Sequence, residues 1–276
     1  MRAGWHAAAR GRRRVGCGAA APEAGWGPEL PDEIWSSVRL RASAGERPQL
    51  TLRLLSLGAR QDAENAVDRL AARCGPADRA VFRQVPHAQA MRELAQCESL
   101  SDEQSRLPGR LPGRHPLGAL RRGAQTARSH FFRHLVPDAG WRALVRTVES
   151  FDAPEGGAAE VLLTALGGAV GRVPVHATAF VHRRERVLAQ YLAHLPAPHG
   201  GPSEPLGAAG TGRHAAWVRR VWESQRPHAS GAAYQNYADP DLDDWRTAYY
   251  GPAAARLAEV KRAWDPDRVF DFPQAV

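Results

Sequence analysis

Two phenols and an amide stand together near the end of this chain, in the run Ala233-Tyr234-Gln235-Asn236-Tyr237-Ala238-Asp239-Pro240-Asp241-Leu242. A tyrosine phenol has an ordinary pKa of about 10, so it works as a base near neutrality only where its phenolate is stabilised. Asparagine carries a donor and an acceptor on one amide, which suits the edge of a planar polar ring. Taken alone, two tyrosines at a strand end pack more often than they catalyse. Ser129 beside His130 raises nucleophilic catalysis, but no Gly-x-Ser-x-Gly elbow or orienting acid accompanies them. The 11 histidines are scattered, with no cysteine or carboxylate at metal-ligand spacing, so no metal site is expected. Gly167-Gly168-Ala169 has neither Gly-x-Gly-x-x-Gly spacing nor a Gly-Lys-Ser/Thr ending, and reads as a turn or bulge between strands.

These residues need a scaffold, and its elements are partly readable. Gln49 to Gly58 is the clearest strand. Ala63, Ala66, Val67, Leu70 and Ala71 recur at helical spacing, and Gly75-Pro76 stops that helix. Pro31-Asp32-Glu33 is expected to open a short helix, with a strand following from Ile34. Further strands are expected at Phe82–Val85, Ala127–Phe132 and Ala159–Leu166, and Phe180–Arg183 with Val187–Leu192 as a hairpin or adjacent pair. Helices are expected across Ala88–Cys97, from Pro137 through Val148, and over Ala215–Gln225. The Pro/Gly/Arg/Ser-rich stretch from Ser99 to Arg122 reads as a mobile loop serving as a lid or rim. The order implies an α+β fold, an antiparallel sheet covered by helices on one face. Residues 1–27, rich in Ala, Gly and Arg, are expected to be a disordered or truncated leader, residues 28–212 a substrate-binding domain, and 213–276 a C-terminal segment, with 196–212 a Pro/Gly linker.

Composition narrows the functional classes. The chain has 276 residues, 43% hydrophobic and 24% charged, enough for a packed core. The net charge of +8 invites nucleic acid, yet no stacking aromatics interleave with the basic residues, so no such partner is expected. No run of about 18 apolar residues exists, so no membrane span is expected. The three cysteines, Cys17, Cys74 and Cys97, form no Cys-x-x-Cys pair, and their odd number argues against a disulfide scaffold. Arg12-Arg13-Arg14 is followed by no apolar secretory region, so a reduced, cytoplasmic protein is expected.

Beyond the tyrosines come Tyr249-Tyr250-Gly251, Arg256-Leu257-x-x-Val260-Lys261 and Asp265-Pro266-Asp267-x-Val269-Phe270. This series resembles the C-terminal signature of berberine-bridge-enzyme-like flavin oxidases. Leu30–Trp35, Ala127–Phe132, Gly167–Val173 and Ala177–Arg183 also look like segments of that family, so the resemblance covers about residues 28–276. It implies a substrate domain of an FAD-linked oxidase, whose sheet covers the flavin and whose tail returns to the flavin domain. It implies Tyr237 as catalytic base toward a substrate hydroxyl, with Tyr234 assisting and Asn236 contacting the flavin. Gln190, and with it Tyr191, would face the substrate, a hydroxyl-bearing metabolite or sugar. The family's Gly-rich pyrophosphate loop and flavin-bonded His are not found in these residues. A separate or absent FAD-binding half is therefore expected as partner, and the isolated chain is expected to be inactive. A non-catalytic remnant or binding module with the same fold stands as the alternative.

Overall fold

The computed structural model describes residues 3–11, 25–120, 123–153, 156–195 and 208–276. The strands are β1 (Ala3–Gly11), β2 (Ile34–Ser43), β3 (Gln49–Ser56), β4 (Arg79–Pro86), β5 (Leu107–Pro108), β6 (Arg114–His115), β7 (Gln125–Phe132), β8 (Ala158–Ala165) and β9 (Val187–His194). The helices are α1 (Arg60–Cys74), α2 (His87–Leu94), α3 (Asp138–Glu149), α4 (Ala169–Arg172), α5 (Ala208–Gln225), α6 (Trp245–Tyr250) and α7 (Ala254–Trp264). Seven strands form one sheet in the order β4-β1-β3-β2-β8-β9-β7, every neighbouring pair antiparallel. β5 and β6 make a separate parallel pair.

Alternation along the strands decides which face is buried. Val38, Leu40 and Ala42 of β2, Leu52 and Leu54 of β3, Ala159, Val161 and Leu163 of β8, and Ala189, Tyr191 and Ala193 of β9 all belong to one core. That face is closed by Ala63, Ala66 and Leu70 of α1, by Trp141, Leu144, Val145 and Val148 of α3, and by Trp217, Val218 and Val221 of α5. Each large apolar side chain buried there contributes about 1.5–3 kcal/mol. Trp217 also satisfies its indole by donating to Thr147 O at 2.8 Å. α1 stops at Gly75, whose φ of 86° suits glycine and whose N–H bonds Ala71 O. α2 lies on the other face, since Leu94 O accepts from Arg53, which points away from the core.

Several expectations are corrected. The stretch read as a disordered leader contains β1, paired with β3 on one side and β4 on the other. Its Ala-rich sequence offers no polar–apolar alternation, so backbone pairing from both sides, rather than side-chain pattern, defines it. Trp26, in the same stretch, joins the main core. Pro31-Asp32-Glu33 forms a turn leading straight into β2, preceded by a 3-10 turn at Gly27–Glu29. α5 runs through the boundary expected at 212, because its apolar stripe belongs to the sheet core. Phe180–Arg183 makes no strand. The loop expected as a lid folds on itself instead, with Ala119 and Leu120 N–H groups bonding Gln104 O. The expectations for residues 12–24 and 196–207 lie outside the described residues.

The glycine pair is a packing feature. A Cβ on Gly167 would sit 2.4 Å from Pro28 O, and one on Gly168 2.4 Å from Asp32 Oδ1. The pair turns the chain out of β8 and, where a turn or bulge between strands was expected, leads into α4, with Gly168 at the helix N-cap at a φ of 54° that glycine adopts without strain.

Candidate active site

The tail reaches its place by completing the edge of the sheet. β7 is an outermost strand, and its free backbone groups pair with residues 230–232. Ser230 N donates to Phe131 O at 2.9 Å, and Phe131 N donates to Ala232 O at 3.0 Å. Ser129 Oγ then accepts from Tyr234 N at 3.1 Å. The chain turns tightly, Tyr237 N donating to Tyr234 O at 2.9 Å, and this turn brings the two phenols together. Their rings meet edge to face with centroids 5.1 Å apart. Asn236 Nδ2 donates to Tyr234 Oη at 2.9 Å. Phe131 and Phe180 pack edge to face against the Tyr234 ring.

An ion pair fixes the far end of this turn. Arg128 Nε donates to Asp239 Oδ2 at 2.6 Å, and both side chains are buried. Arg128 Nη2 reaches Asp241 O at 3.3 Å, and its guanidinium lies over the Trp222 ring, 4.1 Å from the centroid. Asp239 in turn donates its N–H to Tyr249 Oη at 2.8 Å and receives Gln274 Nε2 on its carbonyl at 2.7 Å. The aspartate thus ties sheet, tyrosine turn and C-terminus together. Sequence reasoning missed this pair, 111 residues apart. The available signal was an arginine inside the strand Ala127–Phe132 and an aspartate two residues after Tyr237.

A cleft of about 450 Å³ opens where β7, α5 and the turn meet, and Gln190, Asn236, Tyr237 and Arg219 line it. Tyr234 stands beside it through its contacts with Tyr237 and Asn236. Burial, and then the neighbouring Tyr234, push the Tyr237 phenol above its ordinary pKa. Near neutrality Tyr237 is therefore a protonated hydrogen-bond donor, and its phenolate forms only with outside stabilisation.

Tyr191 is not part of this cleft. Adjacent residues of a strand face opposite sides, and Tyr191 points into the helix-covered core with 0% exposure. Its hydroxyl lies 3.3 Å from His130 Nδ1, and burial raises its pKa far above the ordinary value. The expected substrate contact for Tyr191 is therefore corrected to a core role, while Gln190 faces the cleft. The same alternation separates Ser129 from His130, since His130 stacks on Trp222 on the core side.

Comparison with known proteins places these features. Residues 233–276 match the family model described as "Berberine and berberine like". The chain is 32% identical over 118 residues to the uncharacterised FAD-linked oxidoreductase YgaK of Bacillus subtilis, 43% of this chain and 24% of that protein. It is 26% identical over 188 residues to berberine bridge enzyme-like 28 of Arabidopsis thaliana, 60% of this chain and 34% of that protein. Its fold matches Physcomitrella patens BBE-like 1 with TM-score 0.74 at 22% identity, over 99% of this chain and 54% of that one. It matches berberine bridge enzyme from Eschscholzia californica with TM-score 0.75 at 17% identity, over 99% and 55% respectively. The α+β antiparallel architecture is thus shared with these structures. The chain spans about half the length of the solved structures it matches. Residues 233–276 thus carry a berberine-like segment, and the chain resembles FAD-linked oxidoreductases of the berberine-bridge-enzyme-like kind in sequence.

Proposed function

We propose that this chain is the substrate half of an FAD-dependent oxidoreductase that oxidises a hydroxyl-bearing metabolite or sugar. The observation that carries this reading is the meeting of Tyr237 and Asn236, on the turn anchored by the Arg128–Asp239 pair, with Gln190 of β9 around one cleft. Hydrogen-bonding amides beside a phenol suit a hydroxylated small molecule.

The polar groups of the tail fit a flavin edge. Asn236 is exposed, with only its amide nitrogen engaged by Tyr234. When bound, the flavin supplies the hydride acceptor. The chain's own residues do the rest. Gln190 orients the substrate, Tyr237 Oη takes the proton of its hydroxyl, and Tyr234 supports Tyr237 from the side. The raised Tyr237 pKa makes its phenolate a strong base, whose formation depends on stabilising charge from the flavin-binding half.

That half, on another chain or N-terminal to these residues, covers an apolar strip of the tail. Trp264 is 86% exposed and Phe270 73% exposed, with Val269 and Phe272 beside them in sequence and also exposed. Patches of this kind mark interaction surfaces. We place the protein in a reducing, cytoplasmic setting, which the free thiols of Cys74 and Cys97 support. Among the described residues, no helix is long and apolar enough to cross a membrane.

The test is a chimera carrying the N-terminal half of the Bacillus subtilis relative YgaK ahead of this chain. It is expected to hold flavin and to reduce it with hydroxylated substrates. Tyr237→Phe is expected to lower kcat by about 10²–10⁴-fold with little change in KM, and Tyr234→Phe by less. Unchanged turnover in Tyr237→Phe would put the base elsewhere. A flavin-loaded chimera that oxidises no hydroxylated compound would favour a binding module.

A further inference from the structure

The loop of residues 173–186, between α4 and β9, reaches the tyrosine turn through a histidine that the reaction above does not use. His182 is buried, 5% exposed. Its ring lies nearly flat on Phe131, with centroids 4.2 Å apart and planes 22° apart. Phe131 is the β7 residue whose N–H and C=O pair with residues 230–232, and its ring meets the Tyr234 ring edge to face. Phe180, two residues before His182, stands edge-on to both His182 and Tyr234. These four rings make one aromatic cluster, and Tyr237 leans on its Tyr234 side.

A hydrogen bond ties the cluster to the tail. His182 Nε2 lies 3.0 Å from Tyr249 O. A carbonyl only accepts, so Nε2 carries the proton. Burial lowers the His182 pKa, against the raising pull of the Tyr249 carbonyl and of the Glu185 charge, so near neutrality the ring is the neutral Nε2–H tautomer. Tyr249 is thereby engaged at both ends, its carbonyl by His182 and its hydroxyl by the Asp239 N–H at 2.8 Å. The preceding carbonyl, Ala248 O, accepts from Ala233 N at 3.0 Å. Residues 248–249 therefore grip the tyrosine turn on both sides, at Ala233 and at Asp239. His182 fastens that grip to β7 through Phe131.

We infer that His182 is a positioning residue for the Tyr234–Tyr237 pair, its ring and its Nε2–H together locking the turn that carries both phenols onto β7. For the catalytic consequence this rests on the role given to Tyr237 above. A base must stand within about 2.6–3.2 Å of the proton it takes, so drift of the turn costs turnover more than binding. The side chain combines a flat apolar face for Phe131 with a donor for Tyr249 O. Phenylalanine would keep the face and leave the carbonyl unpaired, and glutamine would keep a donor at the position of Nε2 without the face.

Hydrogen exchange on the 276-residue chain reads the lock without any reaction. His182→Phe is expected to lower protection of the Ala233, Tyr234 and Tyr237 amides about tenfold against those of β8, as for a lost buried hydrogen bond. His182→Gln is expected to recover part of that loss. Unchanged protection in His182→Phe, equal loss in tail and β8, or no recovery in His182→Gln overturns the inference. Should the variants fail to fold, nitrogen NMR of the unaltered chain decides: a proton on Nε2 of His182 supports the lock, and a proton on Nδ1 alone overturns it. In the chimera, His182→Phe is expected to lower kcat about tenfold with KM within about twofold. A chimera that oxidises nothing, beside a tail that loosens in His182→Phe, sinks the oxidase reading alone. An active chimera whose kcat His182→Phe leaves untouched sinks this inference alone.

Discussion

Asp239→Asn tests whether the buried ion pair holds the tyrosine turn on the sheet. The pair is 2.6 Å long, and its side chains are 10% and 5% exposed. Removing one partner from such a pair costs about 3–5 kcal/mol, because the other charge stays buried without a counterion. Arg128 would keep the Trp222 face at 4.1 Å and Asp241 O at 3.3 Å, and asparagine would keep an acceptor for the Asp241 N–H. These supports put the expected cost at the low end, about 3 kcal/mol. The loss should fall on the tail, since Tyr249 and Gln274, the other partners of Asp239, also belong to it. At about 1.4 kcal/mol per tenfold, protection of tail amides should drop on the order of 100-fold. Hydrogen exchange reads this at Ala233, Tyr234 and Tyr237, whose N–H groups bond Ala248 O, Ser129 Oγ and Tyr234 O. Amides of β8, held inside the sheet, serve as the internal reference. Arg128→Met in the same background removes the stranded charge and should recover part of the loss. A coupling energy below about 0.5 kcal/mol, or protection lost equally in tail and sheet, would refute the reasoning.

Further outcomes are expected from the core and the surface. Tyr191→Phe should destabilise the fold by about 1–2 kcal/mol in urea melts, because it strips a hydrogen-bonding partner from buried His130, while leaving ligand binding in the cleft unchanged. Burial first, then the charges of Arg128 and Arg226, lowers the His130 pKa from 6.5 to about 3. The unfolded chain therefore takes up a proton below pH 6.5 that the folded chain refuses, so stability falls as pH drops through that window. Between pH 7 and pH 5 this site should cost about 2 kcal/mol, a difference that His130→Gln should remove from paired urea melts. Trp264→Ser combined with Phe270→Ser should reduce binding of an apolar fluorescent dye, since these two side chains dominate the exposed strip of the tail. Unchanged dye binding would place the sticky surface elsewhere.

Much of the scaffold was legible because it obeys local periodicity. β3 alternates cleanly, α1 repeats its alanines and leucine at helical spacing and ends on a positive-φ glycine, and the tail signature carries its family in contiguous residues. β1 was not legible, because an Ala-rich strand has no polarity pattern and exists through pairing on both edges. The turn at 31–33 was misread because proline followed by two acids signals a helix start as readily as a turn.

The site divides in the same way. Sequence alone supplied the chemistry, two phenols and an amide within four residues, since a short motif keeps its members close whatever the fold. It also contained the alternation that separates Gln190 from Tyr191, but not which of the two faces the core. That was decided by α3 and α5 packing on one side of the sheet. Only the tertiary structure joined Arg128 to Asp239 and laid His182 on Phe131, because such contacts depend on strand register and on which distant segments reach the sheet edge, which no local pattern encodes.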